Sequence, residues 1–114
     1  MERTQENFSH YIAVLLYEAS SPAPDYKPLY EETFVLIQAT SVEEAREKAN
    51  RYAQREQTSY FNEQGEEITW LLKHVVDVNA VLYETFEDET ELYARHFRNY
   101  EAYRLFEPLL GEDI

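Results

Sequence analysis

One helix signal stands between two long β-like tracts, and it limits what this chain can build. Thr40 to Ala53 carries Val42, Ala45, Ala49, Tyr52 and Ala53 at helical spacing. Ser41 and Glu44 have the spacing of a capping box. The serine oxygen accepts from the Glu44 amide, and the Glu44 carboxylate reaches back to the Ser41 amide. On the outer face, Glu44 with Lys48 and Glu47 with Arg51 are i,i+4 pairs, each worth about 0.2–0.5 kcal/mol. The small alanines on the inner stripe predict close approach of this helix to a sheet. One helix flanked by strands means an α+β layer arrangement.

The flanking tracts read as strands. In His10 to Ala19, Tyr11, Ala13, Leu15 and Tyr17 face one way and Ile12, Val14 and Leu16 the other. Both faces are apolar, which predicts a central strand covered on both sides. Ser20 to Pro28 is a loop restricted by prolines at 22, 24 and 28. Leu29 to Thr40 is a second strand, with Glu32, Phe34 and Leu36 on one face and Thr33, Val35 and Ile37 on the other. It pairs with the first as a hairpin with a long connection. Thr58 to Asn62 is a third strand, closed by an Asn62-Glu63-Gln64-Gly65 turn in which Gly65 is free to take positive φ.

Glu66 to Phe86 is the longest β-like tract. Ile68, Trp70, Leu72, Val76, Val78, Ala80 and Leu82 share one parity. The tract is too long for one straight strand, so a bend or bulge is expected near Lys73 to Val75. Glu87 to Thr90 is a turn, and Glu91 to Phe97 a last strand. Asn99 to Leu110 is a short helix ended by Pro108. The expected fold is α+β: an antiparallel sheet of about five strands in the order β-β-α-β-β-β, one main helix on one face, and a short C-terminal helix. The 114 residues fit a single domain. Residues 1–7 are expected to fray, and residues 98–114 form a C-terminal helical extension.

This pattern resembles a bacterial family known as a domain of unknown function, number 4288. The likeness is carried by Tyr11-Ile-Ala-Val-Leu-Leu-Tyr-Glu, Leu29-Tyr-Glu-Glu-Thr-Phe-Val-Leu-Ile-Gln-Ala and Ser41-Val-Glu-Glu-Ala-Arg-Glu-Lys-Ala. The Tyr60 to Trp70 hairpin, Val76-Asp-Val and Glu91-Leu-Tyr-Ala-Arg-His-Phe complete it. It spans Tyr11 to Phe97. The resemblance implies the small α+β fold and supplies no activity.

Composition removes most chemistry. Without cysteine there is no disulfide, thiolate or Cys-based zinc site. Two glycines are too few for a phosphate-cradling loop or a dinucleotide fingerprint. No serine sits in a nucleophile elbow. His74 and Asp77, three apart on a strand, face opposite sides, and His96 is flanked by Arg95 and Arg98. No catalytic, cofactor-binding or metal-ligating residue is therefore predicted. The net charge of −13 repels nucleic acid and anionic membrane surfaces. No stretch approaches the roughly 20 apolar residues of a membrane span. A soluble cytoplasmic protein is expected.

Two functional readings remain open. Arg95, Arg98 and Arg104 with Tyr93, Phe97, Tyr100, Tyr103 and Phe106 form an aromatic and basic cluster, of the residue types enriched at protein interfaces. On that reading the chain is a non-enzymatic interaction module, binding a basic partner as immunity or antagonist proteins do, or pairing with itself. On the other reading it is a small-ligand binder or enzyme with an aromatic pocket between sheet and helix, drawing on Tyr17, Tyr30, Trp70 and Asp77. Glu84, Glu87, Asp88, Glu89 and Glu91 crowd one turn, whose simplest role is solvation that discourages edge pairing.

Overall fold

The computed structural model describes residues 8–107. Its elements run β1 (Ser9–Ser20), β2 (Leu29–Ala39), α1 (Val42–Arg55), β3 (Thr58–Phe61), β4 (Glu67–Ala80) and α2 (Tyr100–Phe106). The strands form one antiparallel sheet in the order β2-β1-β4-β3. The doubly apolar β1 lies inside the sheet, paired with β2 from Ser9↔Ala39 to Ala19↔Leu29 and with β4 on its other side.

The helix α1 closes one face. Its inner stripe of Ala45, Ala49 and Ala53 is fully buried against Tyr11, Ala13, Leu15, Tyr17, Ile37 and Val78. Alanine allows a close approach because no side chain beyond Cβ separates the helix backbone from the strands. Ser41 caps the helix, its hydroxyl accepting from the Glu44 amide at 3.1 Å, an arrangement worth about 1 kcal/mol. The Glu44 carboxylate reaches one residue further back than a simple capping box requires. It accepts from the Thr40 amide at 2.6 Å and the Thr40 hydroxyl at 2.7 Å. Those bonds, the backbone one foremost, hold the Glu44 carboxyl below its usual range. Its contribution is therefore present above the ordinary carboxylate range and lost as pH falls from there through the lowered folded-state value. Lys48, expected to pair with Glu44, instead donates to the Gln38 carbonyl at 2.6 Å.

The β3–β4 turn follows its residues. Gly65 takes φ +79°, and the Asn62 side-chain oxygen accepts from the amides of Gln64 and Glu66.

The β4 strand is irregular where its length demanded it. Its register against β1 shifts between Val14 and Leu15 and again between Leu16 and Tyr17, leaving Val76 and Lys73 unpaired in two bulges. Bulges bend a strand and increase its twist, which curls the sheet. They also break the simple parity: Val75, opposite Leu15, faces the helix, while Val76 is displaced outward and exposed.

The expected fifth strand does not form. Residues 91–97 are irregular and join no ladder, so the sheet has four strands among the described residues. The reason lies in Tyr93, whose ring lies against the small cluster of Ile12, Val14 and Val81 on the face opposite α1. The segment thus crosses the sheet by side-chain packing rather than extending its edge by backbone pairing. The short helix α2 is present, capped by the Asn99 side chain at 3.0 Å from the Ala102 amide. The expected stop at Pro108 and the terminal residues 1–7 and 108–114 lie outside the described residues. No helix among the described residues is long and apolar enough to cross a membrane.

Candidate functional site

The two faces of the sheet carry different surfaces. On the far face, away from α1, Ile12 and Val14 of β1 are sealed, Leu16 is half-buried and the flanks are open. Phe34 and Leu36 on the edge strand β2 are 61% and 52% exposed. Val76, Phe97, Leu105 and Phe106 are also exposed, and no residue of α2 is buried. Phe97 stacks on Tyr103 with ring centroids 4.8 Å apart, and Phe34 meets Tyr93 edge-on at 6.2 Å. An open groove of about 660 Å³ runs among Phe34, Val76, Tyr93, Arg95, Phe97, Tyr103 and Phe106. A second, of about 520 Å³, lies beside it among Leu36, Phe86, Leu92 and the acidic turn at Glu87 to Glu89.

Tyr93 fastens this segment to the sheet. Its hydroxyl donates to the Asp77 carboxylate in a short hydrogen bond. Burial first, then the Asp77 bond and charge, push the Tyr93 phenol from its ordinary 10.0 up to about 12. A phenol raised in the folded state contributes stability that is fully present below pH 10.0 and is lost as pH rises through about 12. Tyr93→Phe should therefore lower stability by about 1 kcal/mol at neutral pH. In urea titrations the gap from the parent should close across that alkaline window. A gap unchanged through it would mean the bond is absent in solution.

The near face holds a smaller cavity of about 200 Å³, at the C-terminal end of α1. Tyr17, Glu31, Thr33, Tyr52, Glu56, Thr58 and Trp70 line it. Tyr17 is only 7% exposed, yet neither its hydroxyl nor that of Thr33 makes a hydrogen bond to the protein. Burial raises the Tyr17 phenol above its ordinary range, and Tyr52, Glu56 and Glu31 add to the rise. Beside the cavity, the Gln57 side-chain oxygen accepts from the Leu72 amide at 2.9 Å, tying the α1–β3 connection to β4.

The residues singled out from the sequence divide between these places. Tyr93, Arg95, Phe97, Tyr103 and Phe106 converge on one far-face groove. Arg98 and Tyr100 are exposed outside it, and Arg104 pairs with Glu101 at 3.1 Å. Tyr17 and Trp70 meet in the near-face cavity. Tyr30 and Asp77 do not join them: Tyr30 lies opposite Glu18 and Asp77 opposite Val14 in the ladders, both on the far face. Tyr52, Glu56, Thr33 and Glu31 were not anticipated as cavity residues. Thr33 carried a signal, being a polar residue on the inward parity of β2. Among the described residues, no group of three His, Cys, Asp or Glu side chains is placed to hold a metal ion.

A curled four-stranded antiparallel sheet, one covering helix and an aromatic segment strapped across the open face define a small α+β domain. The chain belongs to the family described as Domain of unknown function (DUF4288), whose profile matches residues 10–94. The match takes in Tyr93 and stops before the Phe97–Tyr103 stack and α2. No curated protein and no solved structure matches the chain.

Proposed function

We propose that the chain is a non-enzymatic, cytoplasmic interaction domain that pairs with a second copy of itself through the far face of its sheet. The observation that carries this reading is the set of exposed apolar side chains Phe34, Val76, Phe97 and Phe106 around one groove, with Leu36 in the groove beside it. Exposed apolar patches of this kind, rimmed by polar residues, are a mark of association surfaces. The seven-residue helix α2 buries nothing, and a helix that short is marginal without a packing surface. Each copy carries a net charge of −13, so the apolar patch rather than net charge drives the pairing. Arg95 lines one groove, with Glu32 and Glu107 in the same lining, and Glu87, Asp88 and Glu89 line the neighbouring groove. A two-fold pairing presents the same patch from both sides and lets Arg95 of one copy meet the acidic turn of the other.

Light scattering on the full chain over a range of concentrations tests this. The parent should show a dimer mass. The double variant Phe34→Asp, Leu36→Asp should show a monomer with an unchanged circular dichroism spectrum, since both positions are exposed and remote from the helix-side core. A parent that stays monomeric at the highest concentration would contradict self-pairing and leave the patch to an unlike partner.

A further inference from the structure

The near-face cavity lies opposite the proposed pairing surface and is independent of it. We infer that this cavity binds an alkylammonium group, the charged end of a lysine side chain or of a small aliphatic amine. Its lining supplies two carboxylates, Glu31 and Glu56, and no cationic side chain. Arg55 approaches the Tyr52 ring, 5.9 Å from its centre, without lining the cavity. Three aromatic rings, Tyr17, Tyr52 and Trp70, border the same space. Aromatic rings attract cations through their quadrupole, and rings gathered around a small space are a recurrent way of holding ammonium groups. The wall carrying Tyr52 and Glu56 is the C-terminal turn of α1, the negative end of the helix dipole, which also favours a cation.

The hydroxyls supply the second observation. Tyr17 is more than nine-tenths buried, and its hydroxyl lacks a protein partner, as does that of Thr33. Each has lone pairs to accept with. An ammonium carries three N–H donors and no acceptor; the exposed carboxylates Glu31 and Glu56 are open to accept from it, while the Tyr17 and Thr33 hydroxyls are closed to solvent and gain a donor only where its entry opens them. An anion would meet two carboxylates, and a neutral alkyl group would leave both hydroxyls unused. The volume of about 200 Å³ equals the share of six or seven waters at roughly 30 Å³ each. That suits an ammonium with a short alkyl stem. It is below the roughly 300–1,000 Å³ of pockets that enclose drug-sized ligands.

Backbone amide NMR titration of the full chain tests the assignment, with n-butylammonium chloride and the N-acetyl methylamide of lysine as probes. Sodium butyrate and 1-butanol at matched ionic strength are the controls. Both ammonium probes should give saturable shifts at Thr33, Tyr52, Glu56 and Trp70, and neither control should. Tighter binding of the lysine compound identifies a lysine side chain as the ligand; tighter binding of butylammonium identifies a free amine. Glu31→Gln with Glu56→Gln should weaken binding at least tenfold, and Tyr17→Phe several-fold, with the spectrum otherwise that of the folded parent. Equal shifts from butanol or butyrate, no saturable shift from either ammonium probe, or undiminished binding by the double Gln variant would each overturn the assignment. The selectivity among the four probes is read on the parent chain and stands even if a variant fails to fold.

Discussion

Leu15→Ala is expected to lower stability by about 3–4 kcal/mol. Leu15 has no exposed surface and is one of the largest fully buried side chains among the described residues. It sits on the central strand, opposite Thr33 in β2 and Val75 in β4, under the alanine seam of α1. Truncation there removes apolar atoms from the best-sealed part of the core and leaves a cavity between strands held on both sides. Strand pairing on both sides of Leu15 limits how far the site can collapse, which places the cost in the middle of the usual range of about 2–5 kcal/mol. Urea denaturation should show the midpoint fall by more than one molar with little change in slope. A loss below about 1 kcal/mol would mean the helix does not close that face.

Ala49→Leu is expected to cost about 2–3 kcal/mol by overpacking. Ala49 is the middle of the three fully buried alanines on α1 and packs within the helix-side core. A leucine there must push the helix off the sheet or force neighbouring side chains from their rotamers. Either response disturbs Ala45 and Ala53 as well, because one rigid helix carries all three. The same change at Asn50, on the exposed side of α1, should be nearly neutral, so the pair of variants separates packing from helix propensity. Equal stability of the two in urea would refute the close-packed seam.

The parts of this fold legible in the sequence were those with local causes. Ser41, the alanine stripe and the charged outer face declared α1, because capping and 3.6-residue periodicity are written within one segment. The doubly apolar β1 announced its central place, and the length of β4 pointed to a bend or bulge near Lys73 to Val75, where the structure has one bulge at Lys73 and a second at Val76. What failed depended on contacts between distant segments. Residues 91–97 have the composition of a strand, and nothing local says that the Tyr93 ring will seek Ile12 and Val14 and its hydroxyl Asp77. The bulges also moved Val76 off the parity that alternation assigns it. The near-face cavity was half legible: Tyr17 and Trp70 lie on inward parities, whereas Glu31 and Glu56 come to its rim only through the pairing of β2 and the end of α1. Residue type alone points Asp77 and Tyr30 to it, and strand register places them on the other face.

The central proposal is a sheet with one face closed by its own helix and the other face pairing with a second copy. Methyl-selective NMR with a soluble paramagnetic agent, recorded from dilute to concentrated protein, measures this directly. In dilute solution the methyls of Leu36 and Val76 should relax strongly while those of Leu15 and Val78 stay protected; on concentration, Leu36 and Val76 should become protected too. Leu36 and Val76 as shielded as Leu15 at every dilution, or exposed at every concentration, would contradict it.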